Sequence, residues 1–345
     1  MKVAVETSAL YTSRAGVARY VRGLLQGVQA VQPADVQVAE LGWPVENFGF
    51  AQPQRALKTL AREWGWAKCV APVRLRDIDV LHHTALPIIP FVRRIRHVVT
   101  LHDLALLRTP ERFRPWQRSA GLRRLRRVAR ADKVIAVSRF TADEAMALLD
   151  LPAQRLEVVH EAAWPAQTGT PLTMPLPPEY FLFVGSLEPG KNLALLRQIY
   201  AGATGRLAPL VVVGVRWSGV AHEGPPPADW HFYGHADDGQ LATLYRGAKA
   251  LLFPSLYEGF GLPVLEAMAH GCPVLCGPVA SLPEVGDDAA AYAELNPAAY
   301  GAAMQRLVAD EGWRNELREA GLKRAALFSW EKCARETLAI YRSLI

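Results

Sequence analysis

The sequence predicts an α/β chain of two doubly wound domains, and three observations predict it. At 345 residues the chain is about two domains long, taking ~150 residues for each. Short β-branched runs alternate with helical patterns through both halves, as parallel βαβ units require. Between the halves lies Trp164 to Pro178, rich in Pro and Thr and without periodicity, which reads as a linker. Composition removes the other classes. Hydrophobic residues make up 50% and charged residues 21%, with both signs present, so the chain is not disordered. Its longest apolar-or-small run, Gly271 to Ala280, is roughly half of a bilayer-spanning helix. The opening MKVAVETSAL lacks the apolar core of a secretory signal, so a cytoplasmic protein is expected. Cys69, Cys272, Cys276 and Cys333 are too scattered for a disulfide framework or a metal site and read as buried, reduced thiols.

Taken in order, the N-terminal half reads as strands at Lys2–Glu6, Val36–Leu41, Val80–His82, His97–His102 and Lys133–Ser138, apolar runs broken by helical segments. A polar turn from Tyr11 to Gly16 opens a helix over Val17–Val31. The C-terminal half reads as strands at Tyr180–Gly185, Leu210–Gly214, Trp230–Tyr233, Ala250–Pro254 and Pro273–Cys276. Its helices begin near Asn192 and cover Asp238–Ala248 and about Gly261–His270, and a last amphipathic helix covers about Trp330–Ile345. In such sheets ligands bind beyond the carboxyl ends of the strands, which makes a cleft between the halves the expected site.

The most informative segment is Phe253-Pro-Ser-Leu-Tyr-Glu258-Gly-Phe-Gly261-Leu-Pro-Val-Leu-Glu266-Ala-Met-Ala-His-Gly271. A strand followed by Gly-x-Gly and a helix is by itself a tight turn. Here it also sets backbone N–H groups and a helix N-terminus where an anion would lie. Glu258 and Glu266, eight residues apart across that turn, can accept hydrogen bonds from sugar hydroxyls at two points of one ligand.

This segment resembles the E-x7-E signature of the retaining glycosyltransferases of family 4 (glycosyl transferases group 1). Phe183-Val-Gly-Ser-Leu-Glu-Pro-Gly-Lys191-Asn-Leu resembles their diphosphate loop, Phe232-Tyr-Gly-His their F-x-G strand end, and Ala280-Ser-Leu-Pro-Glu-Val-Gly-Asp-Asp-Ala-Ala their S-x-L-P-E-V stretch. The likeness covers most of 178–345 and, more weakly, 1–165. It implies the GT-B fold, two Rossmann-like doubly wound domains facing across a cleft. Residues 1–165 would bind the acceptor, 166–178 would link, and 179–329 would bind a nucleotide sugar. The helix at about 330–345 would pack back on the first domain. The resemblance makes Lys191 the diphosphate ligand, with Ser186 in the same loop, and Glu266 the ribose ligand. Glu258 would hold hydroxyls of the transferred sugar, helped by Gly259 and the backbone N–H groups of Phe260, Gly261 and Leu262. The physics agrees: cleavage at the anomeric carbon builds charge on the departing diphosphate, which a fixed ammonium and a helix N-terminus stabilise.

Relatives carry an arginine in the diphosphate loop where this chain has Ser186 and Gly190. Lys191 then works with less help, or another cation such as Arg216 fills the gap, or activity is weakened. On the acceptor side, Arg96-His-Val-Val-Thr-Leu-His102-Asp103 ends a strand in a His-Asp pair. His102 reads either as a buried structural histidine or, by the resemblance, as a reaction-centre residue; Asp103 reads as a turn cap. Gly16 matches the family's N-terminal glycine turn, where the chain approaches the diphosphate or the acceptor. Asp77-Ile-Asp79 sits where a strand begins, with no partner carboxylate nearby, and His82-His83 reads as a strand end, so no metal site is expected.

The net charge of +6 is unevenly spread: residues 1–165 hold 25 Lys/Arg against 15 Asp/Glu, and residues 166–345 hold 14 against 18. Between Arg108 and Lys133 stand ten basic residues and two acidic ones, with Arg123, Arg126, Arg127 and Arg130 at helical spacing. This is a solvated helix face or a docking surface for anionic lipid. Aromatic residues do not alternate with the arginines, so no nucleic-acid partner is expected. The implied activity is a retaining, metal-independent transfer of a hexose, mannose as a guess, without a cofactor. The donor would be a GDP- or UDP-sugar and the acceptor a hydroxyl of a lipid-linked or polysaccharide-precursor glycan. The protein would be cytoplasmic or peripheral at the inner face of the cytoplasmic membrane. Other readings stay open, a degenerate GT-B binding or assembly subunit and a nucleotide-sugar epimerase of the same fold; the missing loop arginine counts against a third, a glycosyl phosphorylase.

Overall fold

The computed structural model describes residues 1–12, 16–43, 45, 57–164, 168–203, 207–215 and 226–345. They form two compact units, one of Met1–Glu161 with Ser329–Ile345 and one of Ala162–Phe328. Each is organised on one six-stranded, all-parallel sheet.

In the first unit the strands are β1 (Lys2–Glu6), β2 (Gln37–Leu41), β3 (Val80–His83), β4 (Arg96–Leu101), β5 (Lys133–Ala136) and β6 (Leu156–Val158), in the order β2-β1-β3-β4-β5-β6. The order reverses between β1 and β3. Interior strands are buried almost throughout, as strands covered on both faces must be, which is why they read as apolar runs. The edge strand β6 escapes that signal because its three residues are only half-buried.

Helix α1 (Gly16–Val31) packs on the chain's last helix through a glycine notch. A Cβ on Gly23 would lie 2.1 Å from the Trp330 ring, and one on Gly27 would lie 2.1 Å from the Trp330 carbonyl oxygen. No side chain fits there, so Gly23 and Gly27 trade helix propensity for close packing. The same last helix reaches the sheet through the Tyr341 hydroxyl, 2.6 Å from His82 Nδ1, and forks Arg342 onto Asp35 at 2.7 and 2.8 Å.

Helix α2 (Pro115–Val128) carries the arginine-rich segment, and α3 (Arg139–Leu149) follows β5 behind a Ser138 cap. Leu125 and Val128 of α2 are buried, whereas Arg123, Arg126, Arg130 and Trp116 are exposed. Arg127 departs from the expected open face: it is half-buried and its guanidinium points at the Pro87 carbonyl. A second exposed surface was not visible in the periodicity. The chain is helical over 57–74, with a π-helical stretch at Ala61–Val70, and leaves Leu57, Leu60, Trp64, Val70 and Val73 exposed. All four cysteines are free, but Cys69 on this helix is exposed, not buried as expected.

The second unit holds β7 (Phe181–Val184), β8 (Leu210–Val213), β9 (Trp230–Gly234), β10 (Ala250–Phe253), β11 (Val274–Cys276) and β12 (Ala291–Tyr292), in the order β12-β11-β10-β7-β8-β9. Its switch point falls between β7 and β10. Its longer helices are α4 (Leu193–Gly202), α5 (Asp238–Gly247), α6 (Leu262–Ala269), α7 (Pro297–Ala309) and α8 (Glu311–Ala325); the last helix, α9, is Trp330–Arg342. Asp237, Asn296 and Asp310 cap α5, α7 and α8 through their side chains. Phe181, Phe183, Leu210, Val212, Leu252, Tyr300 and Met304 share one core cluster.

The stretch read as a linker over 166–178 belongs to this unit where it is described. The Thr170 amide donates to the Gly239 carbonyl (3.2 Å), and the Thr173 amide donates to the Tyr233 hydroxyl (3.0 Å). Hydrogen bonds from its backbone amides to the α5 backbone and to the Tyr233 side chain of β9 hold the segment without any hydrophobic periodicity of its own. Among the described residues no helix is long and apolar enough to cross a membrane.

Candidate active site

Two loops leave the second sheet at its switch point, 185–192 after β7 and 254–261 after β10, and doubly wound sheets bind their ligands there. The first loop turns tightly because Gly214, at φ +150°, lets β8 approach; a Cβ there would sit 1.8 Å from the Gly185 carbonyl oxygen. The buried Glu188 carboxylate then accepts the Gly190 amide at 3.1 Å, and Asn192 in the left-handed region starts α4. The loops are joined by the Leu256 amide donating to the Gly190 carbonyl at 2.9 Å.

Across that junction Lys191 Nζ forms an ion pair with Glu258 Oε1. Their side chains are 17% and 13% exposed, so the pair is largely buried but not sealed from solvent. Glu258 sits in a loop braced from beneath: the buried Ser281 hydroxyl is 2.9 Å from the Glu258 carbonyl oxygen and 2.8 Å from that of Phe260. Gly261, at φ +105°, turns the chain into α6, and a Cβ on it would strike Leu282 at 2.8 Å. Gly259, Phe260, Gly261 and Leu262 therefore share the Glu258 loop and the start of α6.

Glu266 stands apart on the second turn of α6, buried, with the Tyr245 hydroxyl donating to it at 3.3 Å. Ser186 lies half-buried in the Lys191 loop, and neither it nor Gly190 brings a charge. Arg216, the cation suggested as a substitute, lies outside the described residues. What the site can do follows from the pair: an anion that displaces Glu258 meets the Lys191 ammonium, and the released carboxylate can accept hydroxyl protons.

The other predicted residues lie in the first unit. Gly16 is the exposed first residue of α1. His102 follows β4, with Nδ1 at 2.9 Å from Glu161 Oε1 and Nε2 at 2.9 Å from the Thr84 carbonyl oxygen. Tyr20 of α1 meets the imidazole edge-on, with ring centroids 4.9 Å apart. Burial works against a charge on this ring, but the hydrogen bond and charge of Glu161 outweigh it and hold the His102 pKa above its ordinary value. Asp103 caps the next turn by accepting the Ala105 amide at 2.9 Å. Asp79 accepts the Lys2 amide at 2.7 Å. His82 and His83 are buried structural histidines; His83 Nε2 faces His97 Nδ1 at 3.1 Å, and burial lowers both His82 and His83. Among the described residues no three His, Cys, Asp or Glu side chains group as metal ligands.

Sequence reasoning missed Glu161, Thr84, Glu188, Tyr245 and the bracing role of Ser281. Ser281 and Glu188 had a signal, since both lie inside motifs quoted above.

Residues 14–162 match the family model described as Glycosyltransferase Family 4, and residues 171–324 match the one described as Glycosyl transferases group 1. The chain is 32% identical over 293 residues to O-antigen chain mannosyltransferase B of Escherichia coli, covering 78% of this chain and 76% of that protein. Among solved structures it is similar to a sucrose-phosphate synthase from Thermosynechococcus elongatus, with TM-score 0.73, 19% identity and coverage of 99% and 98% of the two chains. It is also similar to HepE of Anabaena in complex with UDP and glucose, with TM-score 0.68, 15% identity and 99% of each chain covered.

Proposed function

This chain is a glycosyltransferase that belongs to family 4 (glycosyl transferases group 1) and has the two-domain GT-B fold, and from that premise we propose that it moves a hexose from a nucleotide sugar to a glycan hydroxyl with retention of configuration. The observation that carries the proposal is the Lys191–Glu258 pair at the switch point of the second sheet. In the transfer the bond from the anomeric carbon to the diphosphate oxygen breaks, and a bond to the acceptor oxygen forms on the same face. The acceptor's hydroxyl proton passes to the departing diphosphate. Lys191 stabilises the charge on that diphosphate, together with the amides of the Gly259–Leu262 turn, and Glu258 turns to the sugar hydroxyls. Glu266 is the proposed ribose ligand, and Gly16 and His102 are the proposed contributions of the first unit. The scheme needs no metal and no organic cofactor.

Mannose on GDP is the donor we favour, because a relative similar over most of this chain is named a mannosyltransferase. UDP is the second choice, since HepE, a structural neighbour, binds it. The same relative's name supports a polysaccharide-precursor or lipid-linked acceptor. A peripheral position on anionic lipid is supported by Arg123, Arg126 and Arg130 with Trp116, and by the exposed apolar and basic helix at 57–74.

The test is product formation from GDP-mannose and UDP-glucose by Lys191→Ala and Glu258→Ala. Each substitution is expected to cost ~10²–10³ in kcat, with the melting temperature nearly kept. Undiminished transfer by both variants overturns the donor-site assignment.

A further inference from the structure

A line of hydrogen bonds crosses the carboxyl edge of the first sheet. The Thr84 hydroxyl, beyond β3, donates to the Glu6 carbonyl at the end of β1 at 2.6 Å. The Thr84 carbonyl accepts from His102 Nε2, and His102 Nδ1 faces Glu161 Oε1, both at 2.9 Å. Glu161 follows β6, which β5 separates from β4, so its side chain reaches past the end of β5. It is 3% exposed, against 17% for His102.

A carbonyl oxygen can only accept, so Nε2 carries a hydrogen. With a carboxylate opposite, Nδ1 donates as well, and the ring keeps no lone pair for a base. The neighbours do not compete for this role. His82, on β3, is neutral, pushed down to about 3 by burial and by the charge of His102. Asp103 is engaged with the Ala105 amide, Glu6 accepts the Ser8 amide, and burial drives the Tyr20 hydroxyl and the Cys333 thiol of α9 upward, so both stay neutral.

We propose that Glu161 is a positioning residue of the transfer reaction: with Thr84 it holds His102 doubly protonated and in one ring orientation, so that, with both N–H groups taken, His102 acts on the substrate through its positive charge and not as a base or a hydrogen-bond donor. The inference rests on the reading of His102 as a reaction-centre residue, and it leaves the departing diphosphate to take the acceptor's proton.

The experiment is a ring-nitrogen NMR titration of His102 in the full-length protein, run beside the pH dependence of kcat, for the wild type and Glu161→Gln. An amide can donate to Nδ1 and so tolerates the neutral ring. In the wild type His102 is expected to titrate above 6.5, with kcat falling as pH rises through that titration. In E161Q both should move down together, by roughly 1–3 pH units, while the donor KM changes less than kcat. A wild-type ring titrating below 6.5 overturns the proposal, and needs no variant. A titration unmoved in E161Q also overturns it. A titration that moves while the pH–rate profile stays fixed overturns the positioning role and the reaction-centre reading of His102, and leaves Lys191 and Glu258 untouched.

Discussion

Both sheets hold a charged pair at the carboxyl edge, but in different settings. Lys191 and Glu258 meet from two loops at the switch point, with side chains 17% and 13% exposed. His102 and Glu161 meet away from the β1–β3 switch point, and Glu161 is only 3% exposed. Both pairs are largely buried, but the carboxylate of the first keeps some contact with solvent, so Glu258 is drawn from Lys191 more cheaply than Glu161 from His102. The second is held by a carboxylate that would be stranded without its cation, so its geometry is fixed before any substrate arrives. An exchangeable pair suits binding a charged group that comes and goes. A fixed pair suits setting one side chain's proton and direction.

The largest expected effect separates the pairs by stability. Glu161→Ala should cost about 3–5 kcal/mol, the usual result of removing one partner of a buried pair. Glu258→Ala should cost less, about 1–2 kcal/mol, because part of both partners keeps contact with solvent. Urea unfolding of the two variants measures this, and equal losses would erase the distinction between the pairs.

A second effect comes from pH. The His82 pKa is depressed to about 3 by burial first and by the His102 charge second. Between its ordinary value near 6.5 and that lower value the unfolded chain binds the extra proton. The first unit should therefore lose stability as pH falls through this window, by up to about 1.4 kcal/mol per pH unit for one proton. The raised His102 has the opposite sign: its contribution is complete below 6.5 and is lost as pH rises through its folded value. Denaturant titrations at several pH values should show the acid loss shrink in His82→Gln; an unchanged slope assigns it elsewhere.

The smallest effect sharpens the donor side. Ser281→Ala should cost about 1–2 kcal/mol, because the one hydroxyl hydrogen shared by the Glu258 and Phe260 carbonyls is lost. It should also lower kcat by loosening the Glu258 loop, while leaving the pH–rate profile unmoved.

Much of this arrangement was legible along the chain. Strands buried on both faces announce themselves as apolar β-branched runs, as Leu210–Val213 does. The Gly259–Gly261 turn stood out because only glycine supplies the +105° φ that opens α6. Glu161 was illegible because its partner lies 59 residues earlier and no local pattern marks a carboxylate that will be buried. The edge strands β6 and β12, three and two residues long, carry too little periodicity to register. Arg127 shares its spacing with three exposed arginines, and only the Pro87 carbonyl distinguishes it.

The glycine notch of α1 has a consequence for synthesis. The helix that fills it follows the whole of the second unit in the chain. A ribosome therefore delivers the second unit complete while the first still waits with an open apolar groove around Gly23 and Gly27. Until α9 emerges, that groove is apolar surface a chaperone would have to cover.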